Sequence, residues 1–169
     1  MAHKQSVLVI IKPDGMSKSL IGNVFTKLTE AKLELVGIGL WKVPRKLAEE
    51  HYKHIKSKPF YEKTIRHLLG EYHKEKRVLA MVYRGADAVK KCRAIAGATN
   101  PEEADPKSIR GAYGCVSSKG IFENVIHVSS DEKEAEREIK LWFEPEQILV
   151  DVFATKTKTT TIKKRVWAK

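Results

Sequence analysis

Cysteine is nearly absent from this 169-residue chain, and Cys92 and Cys115 stand in neither a CxxC pair nor any metal-ligand spacing. A disulfide scaffold and a zinc module are thereby disfavoured, and two reduced thiols in a cytosol are expected. Long apolar runs are missing too, since no stretch approaches the roughly 20 residues that a membrane span needs. MAHKQS carries no apolar segment of signal-peptide type ahead of the first predicted strand, which points to a cytoplasmic chain. No internal repeat is visible. There is no GxxxxGK[ST] loop, and VGIGLWK (Val36 to Lys42) lacks the third glycine of a dinucleotide fingerprint, so the common phosphate-cradling motifs are absent.

What remains is the composition of a globular protein, 42% hydrophobic and 31% charged, with a length that suits one domain. The net charge of +11 is unevenly spread. Lys156, Lys158, Lys163, Lys164, Arg165 and Lys169 face no acid within residues 154–169 and supply six of the eleven charges. The other five, over the remaining 153 residues, suit an anionic substrate or nothing special. The expectation is a domain over residues 1–153 followed by a basic extension. That extension reads as a solvated or oligomer-bracing tail, or alternatively as a nucleic-acid contact.

Structural types alternate along the chain. VLVIIK (Val7 to Lys12) is apolar at nearly every position, as in a central strand covered on both faces, and Pro13 ends it. A helix over about 22–32, a strand over 33–43 and helical sequence over about 45–73, broken near Lys58-Pro59, follow. VLAMVY (78–83) predicts a third strand and ADAVKKCRAIAG (86–97) a helix closed by Gly97. Residues 98–123 hold Asn100, Pro101, Pro106, Gly111, Gly114 and Gly120 and read as a long loop, of the kind that in compact domains is usually functional or disordered. NVIHVS supplies the fourth strand, and the last clear helix spans 131–143. The order β-α-β-α-β-α-β predicts an α+β, ferredoxin-like split βαβ sandwich, a four-stranded antiparallel sheet covered by helices.

A histidine interrupts the fourth strand. Alternation puts Ile126 and Val128 on one face and Val125, His127 and Ser129 on the other. In the next helix Glu138 falls inside the apolar stripe of Ala135, Ile139 and Trp142, and a carboxylate facing a core is costly unless paired. The helix follows the strand closely enough to fold back and bring Glu138 to the imidazole of His127. Ser129 then either donates to that carboxylate or caps the helix with Glu132 completing a capping box. A His–Glu pair backed by a hydroxyl orients an imidazole and fixes its tautomer; a structural buried pair fits the pattern equally well. Lys12 at the strand end, Arg93 beside Val89 and Arg110 in the Gly/Pro loop form a phosphate clamp if they converge. His51 and His54, one helical turn apart, have the spacing to ligate a metal, but no further ligand is evident in the sequence.

Four stretches, VLVIIKPDGMSKSLIGNV (7–24), HYKHIKSKPFY (51–61), CRAIAGATNPEEADPKSIRGAYG (92–114) and NVIHVSSDEKEAEREIKLWF (124–143), resemble in order and spacing the nucleoside diphosphate kinase family. The likeness runs over about Ser6 to Leu149. It implies ping-pong transfer of the γ-phosphate of ATP or another nucleoside triphosphate to a nucleoside diphosphate, through His127 phosphorylated on Nδ1. By motif match Glu138 orients that histidine and Ser129 stands behind the carboxylate. Lys12, Tyr52, Arg93, Thr99, Arg110 and Asn124 match residues around phosphates, ribose or the histidine, and Phe60 matches the aromatic on which the base stacks. Magnesium is implied as a passenger on the nucleotide phosphates, with no protein cage, and a homo-oligomer as a tetramer or hexamer built from dimers. This chain departs from the pattern in three places. Val128 follows the histidine where the family usually has glycine or alanine, which either packs in the core or narrows the nucleotide pocket. Ser130 replaces a frequent aspartate. Residues between Arg110 and Asn124, including SSKGIF (117–122), exceed the common length, so the family's small apolar contact on the second face of the base has no placed counterpart. Val128 and the longer loop also suit a catalytically silent interaction subunit.

Overall fold

The computed structural model describes residues 4–163 and 167. Four strands, β1 (Gln5–Ile11), β2 (Glu34–Lys42), β3 (Arg77–Gly85) and β6 (Ile126–Val128), form one antiparallel sheet in the order β2-β3-β1-β6. The expected ferredoxin-like architecture is therefore present, with β1 and β3 central. Covered on both faces, β1 shows the continuous apolar run that its sequence carries. Leu8 and Ile10 enter one core with Ile65, Leu68, Ile139 and Trp142, while Val7, Val9 and Ile11 enter the other with Val24, Leu28, Val89 and Cys92.

The helices divide accordingly. Helices α2 (Ile21–Thr29) and α5 (Ala88–Ala96) cover one face, and α3 (Arg45–His51), α4 (Tyr61–Leu68) and α7 (Glu132–Trp142) cover the other. Helix α5 stops at Gly97, which adopts φ +86°. The break expected at Lys58-Pro59 falls between α3 and α4.

Two expectations need correction. Pro13 ends β1, as predicted, but it also starts the short helix α1 (Pro13–Ser17), where a first-turn proline loses no helical hydrogen bond. The presumed loop 98–123 is largely ordered. It holds α6 (Ile109–Tyr113), capped by the Ser108 hydroxyl accepting from Gly111 N, and a hairpin of β4 (Cys115–Val116) and β5 (Phe122–Glu123). Past α7, Ile148, Val150, Val152 and Phe153 still pack on the core, whereas residues 154–163 are exposed. Lys164, Arg165 and Lys169 of the basic tail lie outside the described residues.

Candidate active site

The site begins where β1 meets β6. His127 pairs in register with Ile10, whose side chain faces the α3/α4/α7 core, so the imidazole emerges on the face that α7 covers. Val125, expected beside His127, instead packs with Ile126 and Val128 in the other core. The reason is its backbone, which adopts φ +67°. Val125 N donates to Asp14 Oδ2 at 2.7 Å, and Lys12 N donates to Val125 O at 2.8 Å, so the chain entering β6 is clamped by the chain leaving β1.

Helix α7 starts at Asp131, whose carboxylate accepts from Glu134 N at 2.8 Å. That finding overturns the alternative in which Ser129 caps the helix. Ser129 is fully buried and donates to Glu138 Oε2 at 2.6 Å, the same oxygen that lies 3.0 Å from His127 Nε2. Burial alone raises the Glu138 pKa, but the neighbouring His127 imidazole and its hydrogen bond outweigh it and bring the carboxyl down to about 2. An ionised Glu138 needs a donor, so His127 carries its proton on Nε2 and keeps the Nδ1 lone pair free.

The imidazole lines a cleft of about 780 Å³ together with Lys12, Tyr52, Phe60, Arg93, Thr99, Arg110 and Asn124, which gathers every residue proposed from the sequence except buried Ser129. Lys12 Nζ donates to Asn124 Oδ1, and Asn124 Nδ2 donates to Thr99 O at 2.6 Å. Arg110 is held by two backbone carbonyls, Gly97 O at 2.9 Å and Ile126 O at 3.0 Å. Arg93 and Thr99 are exposed on the rim. The Tyr52 ring stands edge-on to His127, with centroids 6.2 Å apart. Burial lowers the Lys12 pKa to about 8, with Asp14 opposing the shift. A rigidly oriented imidazole facing three cations is equipped to accept a phosphoryl group.

Over residues 5–148 the chain matches the family model for nucleoside diphosphate kinase. The chain belongs to the nucleoside diphosphate kinase family. The Pyrococcus furiosus nucleoside diphosphate kinase is 42% identical over 148 residues, covering 88% of each chain. Among solved structures, a Borrelia burgdorferi nucleoside-diphosphate kinase with bound vanadate and ADP, described as a transition state mimic, matches at TM-score 0.77 and 32% identity, covering 87% of this chain and 91% of that one. A Halobacterium salinarum nucleoside diphosphate kinase in complex with CDP matches at TM-score 0.77 and 37% identity, covering 88% and 93%.

The kinase has buried partners that sequence reasoning missed. Asp14 is fully buried, with Oδ1 3.3 Å from His67 Nε2; burial favours its neutral form, yet Lys12 and His67 hold its carboxyl below the ordinary range. Only its closeness to Lys12 in IKPDG hinted at this. His51 lies buried behind His127, ring centroids 4.5 Å apart, and its Nδ1 accepts from Trp142 Nε1 at 3.1 Å. Burial, and next the neighbouring His127, push its pKa well below the usual imidazole value. His54 is exposed on the cleft, so the two histidines of HYKH do not form a metal pair. His51, His127 and Glu138 bring ligand atoms within 4.8 Å of one another, but Trp142 and Ser129 already donate into that set. Val128 is 4% exposed and packs in the core with Val125 and Ile126, so its bulk is absorbed there and only an edge lines the cleft.

Proposed function

We propose that this nucleoside diphosphate kinase works by ping-pong transfer through a phosphohistidine on His127. The observation that carries the reading is the Nε2 contact to ionised Glu138, which leaves Nδ1 as the nucleophile. Nδ1 attacks the γ-phosphorus of a nucleoside triphosphate such as ATP. The bond to the β,γ-bridging oxygen breaks, and the nucleoside diphosphate leaves with that electron pair. A terminal phosphate oxygen of an acceptor nucleoside diphosphate then attacks the phosphorus, the P–N bond breaks, and the imidazole is restored. Glu138 stabilises the charge that develops on the ring, and Ser129 holds Glu138. Lys12, Arg93 and Arg110 offset charge on the transferring group, with Asn124 and Thr99 positioning Lys12. Tyr52 packs against the nucleophile, and Phe60, 51% exposed, offers a face for the base.

Magnesium would be held by the nucleotide phosphates, where it offsets their charge. The donor set fits that arrangement, because the lining carboxylates Glu134 and Glu138 are engaged by Arg137 and by His127 with Ser129. A homo-oligomer, tetramer or hexamer, is supported by edge strand β2, which exposes Ile38 at 50% and Leu40 at 58%. We read residues 1–153 as the kinase domain and 154–169 as a basic extension; nucleic-acid binding rests on the charge of that extension alone. A cytoplasmic location agrees with the absence, among the described residues, of any helix long and apolar enough to cross a membrane.

The deciding experiment incubates the protein with γ-labelled ATP. An acid-labile, alkali-stable label is expected on wild type and none on His127→Ala. Unlabelled wild type would reject the mechanism.

A further inference from the structure

His67 reaches from α4 to the corner where β1 passes into α1. Ile65 and Leu68 seat α4 in the core with Leu8 and Ile10. His67, one residue before Leu68, lines the cleft with Lys12, Arg110 and Asn124 while only 4% exposed. Its Nε2 lies 3.3 Å from Oδ1 of fully buried Asp14, and neither atom has a hydrogen-bond partner elsewhere. The other oxygen of Asp14 is committed, since Oδ2 accepts from Val125 N at 2.7 Å. His73, from the segment after α4, stands beside His67 with ring centroids 5.4 Å apart.

Asp14 thereby links the two groups that the transfer needs. Through Val125 it holds the turn two residues ahead of His127, and its charge acts on Lys12, two residues before it. An anion at some distance helps to keep a buried amine protonated, whereas an anion in direct contact competes with phosphate for it. Lys12 Nζ donates to the uncharged Asn124 Oδ1. A buried carboxylate oxygen without a donor is costly, and both His67 and Lys12 are placed to offer one to Asp14. The groups acting on His67 itself are Lys12, Asp14 and His73. Burial, and next the Lys12 charge, hold it below the usual imidazole value against the opposing pull of Asp14. It is therefore neutral at pH 7, and ionised Asp14 draws its one ring proton to Nε2.

We propose that His67 is a positioning residue of the phosphate clamp: by presenting Nε2–H to Asp14 Oδ1 it keeps that carboxylate on Val125 and off the Lys12 ammonium, which stays free for the transferring phosphate. The proposal rests on the catalytic reading of His127 and Lys12 above. With the imidazole donor removed, Asp14 Oδ1 turns to Lys12. The resulting close pair tightens the hold of the amine on its proton and takes the amine from the substrate.

The test compares kcat and KM for ADP, with one fixed phosphoryl donor, between about pH 6 and 10 on wild type, His67→Leu and His67→Gln. Glutamine carries a neutral donor close to the place of Nε2, and leucine fills space without one. His67→Leu should raise the KM for ADP about tenfold and move the alkaline limit of kcat/KM up by about one pH unit, and His67→Gln should stay near wild type in both. A purely structural role lowers the urea midpoint of His67→Leu and leaves the alkaline limit in place, which would overturn the proposal. A His67→Gln profile that matches His67→Leu rejects it as well. Nitrogen-15 shifts of the His67 ring in wild type need no variant: a neutral ring protonated on Nε2 is expected, and a proton on Nδ1 contradicts the proposed contact. Labelling of wild type with γ-labelled ATP runs in parallel, and its failure rejects the His127 chemistry itself, a result separable from the others.

Discussion

His127 Nε2 lies 3.0 Å from Glu138 Oε2, and that oxygen also receives the Ser129 hydroxyl at 2.6 Å. One carboxylate oxygen thus fixes the tautomer of the imidazole while the serine fixes the carboxylate. With its pKa drawn down to about 2, against the opposing effect of burial, Glu138 stays ionised at neutral pH. Glu138→Gln keeps the shape and loses the charge, so phosphoenzyme formation should slow by about 100-fold with little change in nucleotide KM. Ser129→Ala should cost less, about tenfold, because the His127 contact survives it. Rapid-quench measurement of the first turnover checks both. A Glu138→Gln rate close to wild type would reduce the pair to a structural role.

Lys12 supplies the alkaline limit. Burial brings its pKa to about 8, and only the protonated amine attracts phosphate. As pH rises through about 8, the free enzyme loses that charge, so kcat/KM should fall while kcat at saturation falls later, because bound phosphates favour the charged form. Lys12→Arg, whose guanidinium stays protonated, should remove the alkaline limb of the profile while lowering its plateau. A profile flat to pH 10 in wild type would contradict the shift.

These two predictions draw on parts of the molecule that were unequally visible in the sequence. The His127–Glu138 pair was legible because Glu138 breaks an apolar helical stripe, and β1 was legible because a doubly covered strand is apolar throughout. The clamp at Val125 was not. A β-branched residue at φ +67° defies local preference, and it is stabilised by Asp14, 111 residues away. Helix α1 and the β4–β5 hairpin were hidden for a different reason: five and two residues are too few to establish a period. Phe122 therefore sat in an apparent loop, and only the fold brings it to the cleft with Phe60.

Acid should unfold the protein through the same buried carboxylates. Asp14 and Glu138 are both held below their ordinary values, so each adds stability that is fully present above the unfolded-state pKa of about 4 and is lost as pH falls through the folded-state value. Urea midpoints should thus begin to fall near pH 6.5, where buried His51 and His67 take up protons in the unfolded chain before the folded one, and drop more steeply below about pH 4. Asp14→Asn strips the nearest anion from buried Lys12 and should cost about 3 kcal/mol at pH 7 while flattening part of the acid slope. An Asp14→Asn midpoint that keeps the full acid slope would assign it to other groups.

Two glycines separate space from backbone freedom. A Cβ at Gly111 would lie 2.2 Å from Asp105 O and 2.8 Å from Ala104 O, and backbone cannot swing aside as a side chain does. Gly111→Ala must therefore push α6 off the 104–105 segment. Arg110, one residue earlier, would be pulled from Gly97 O and Ile126 O. The expected result is a loss of about 1–3 kcal/mol in stability together with a raised KM for every nucleotide. Gly22 meets the opposite condition. It lies in α2, and a Cβ there has no atom within 4 Å, so Gly22→Ala should stabilise by about 0.5 kcal/mol through the unfolded chain and leave kinetics alone. Thermal unfolding and steady-state kinetics on both variants decide the matter: equal effects at the two positions would show that the packing of α6 on residues 104–105 does not hold Arg110 in place.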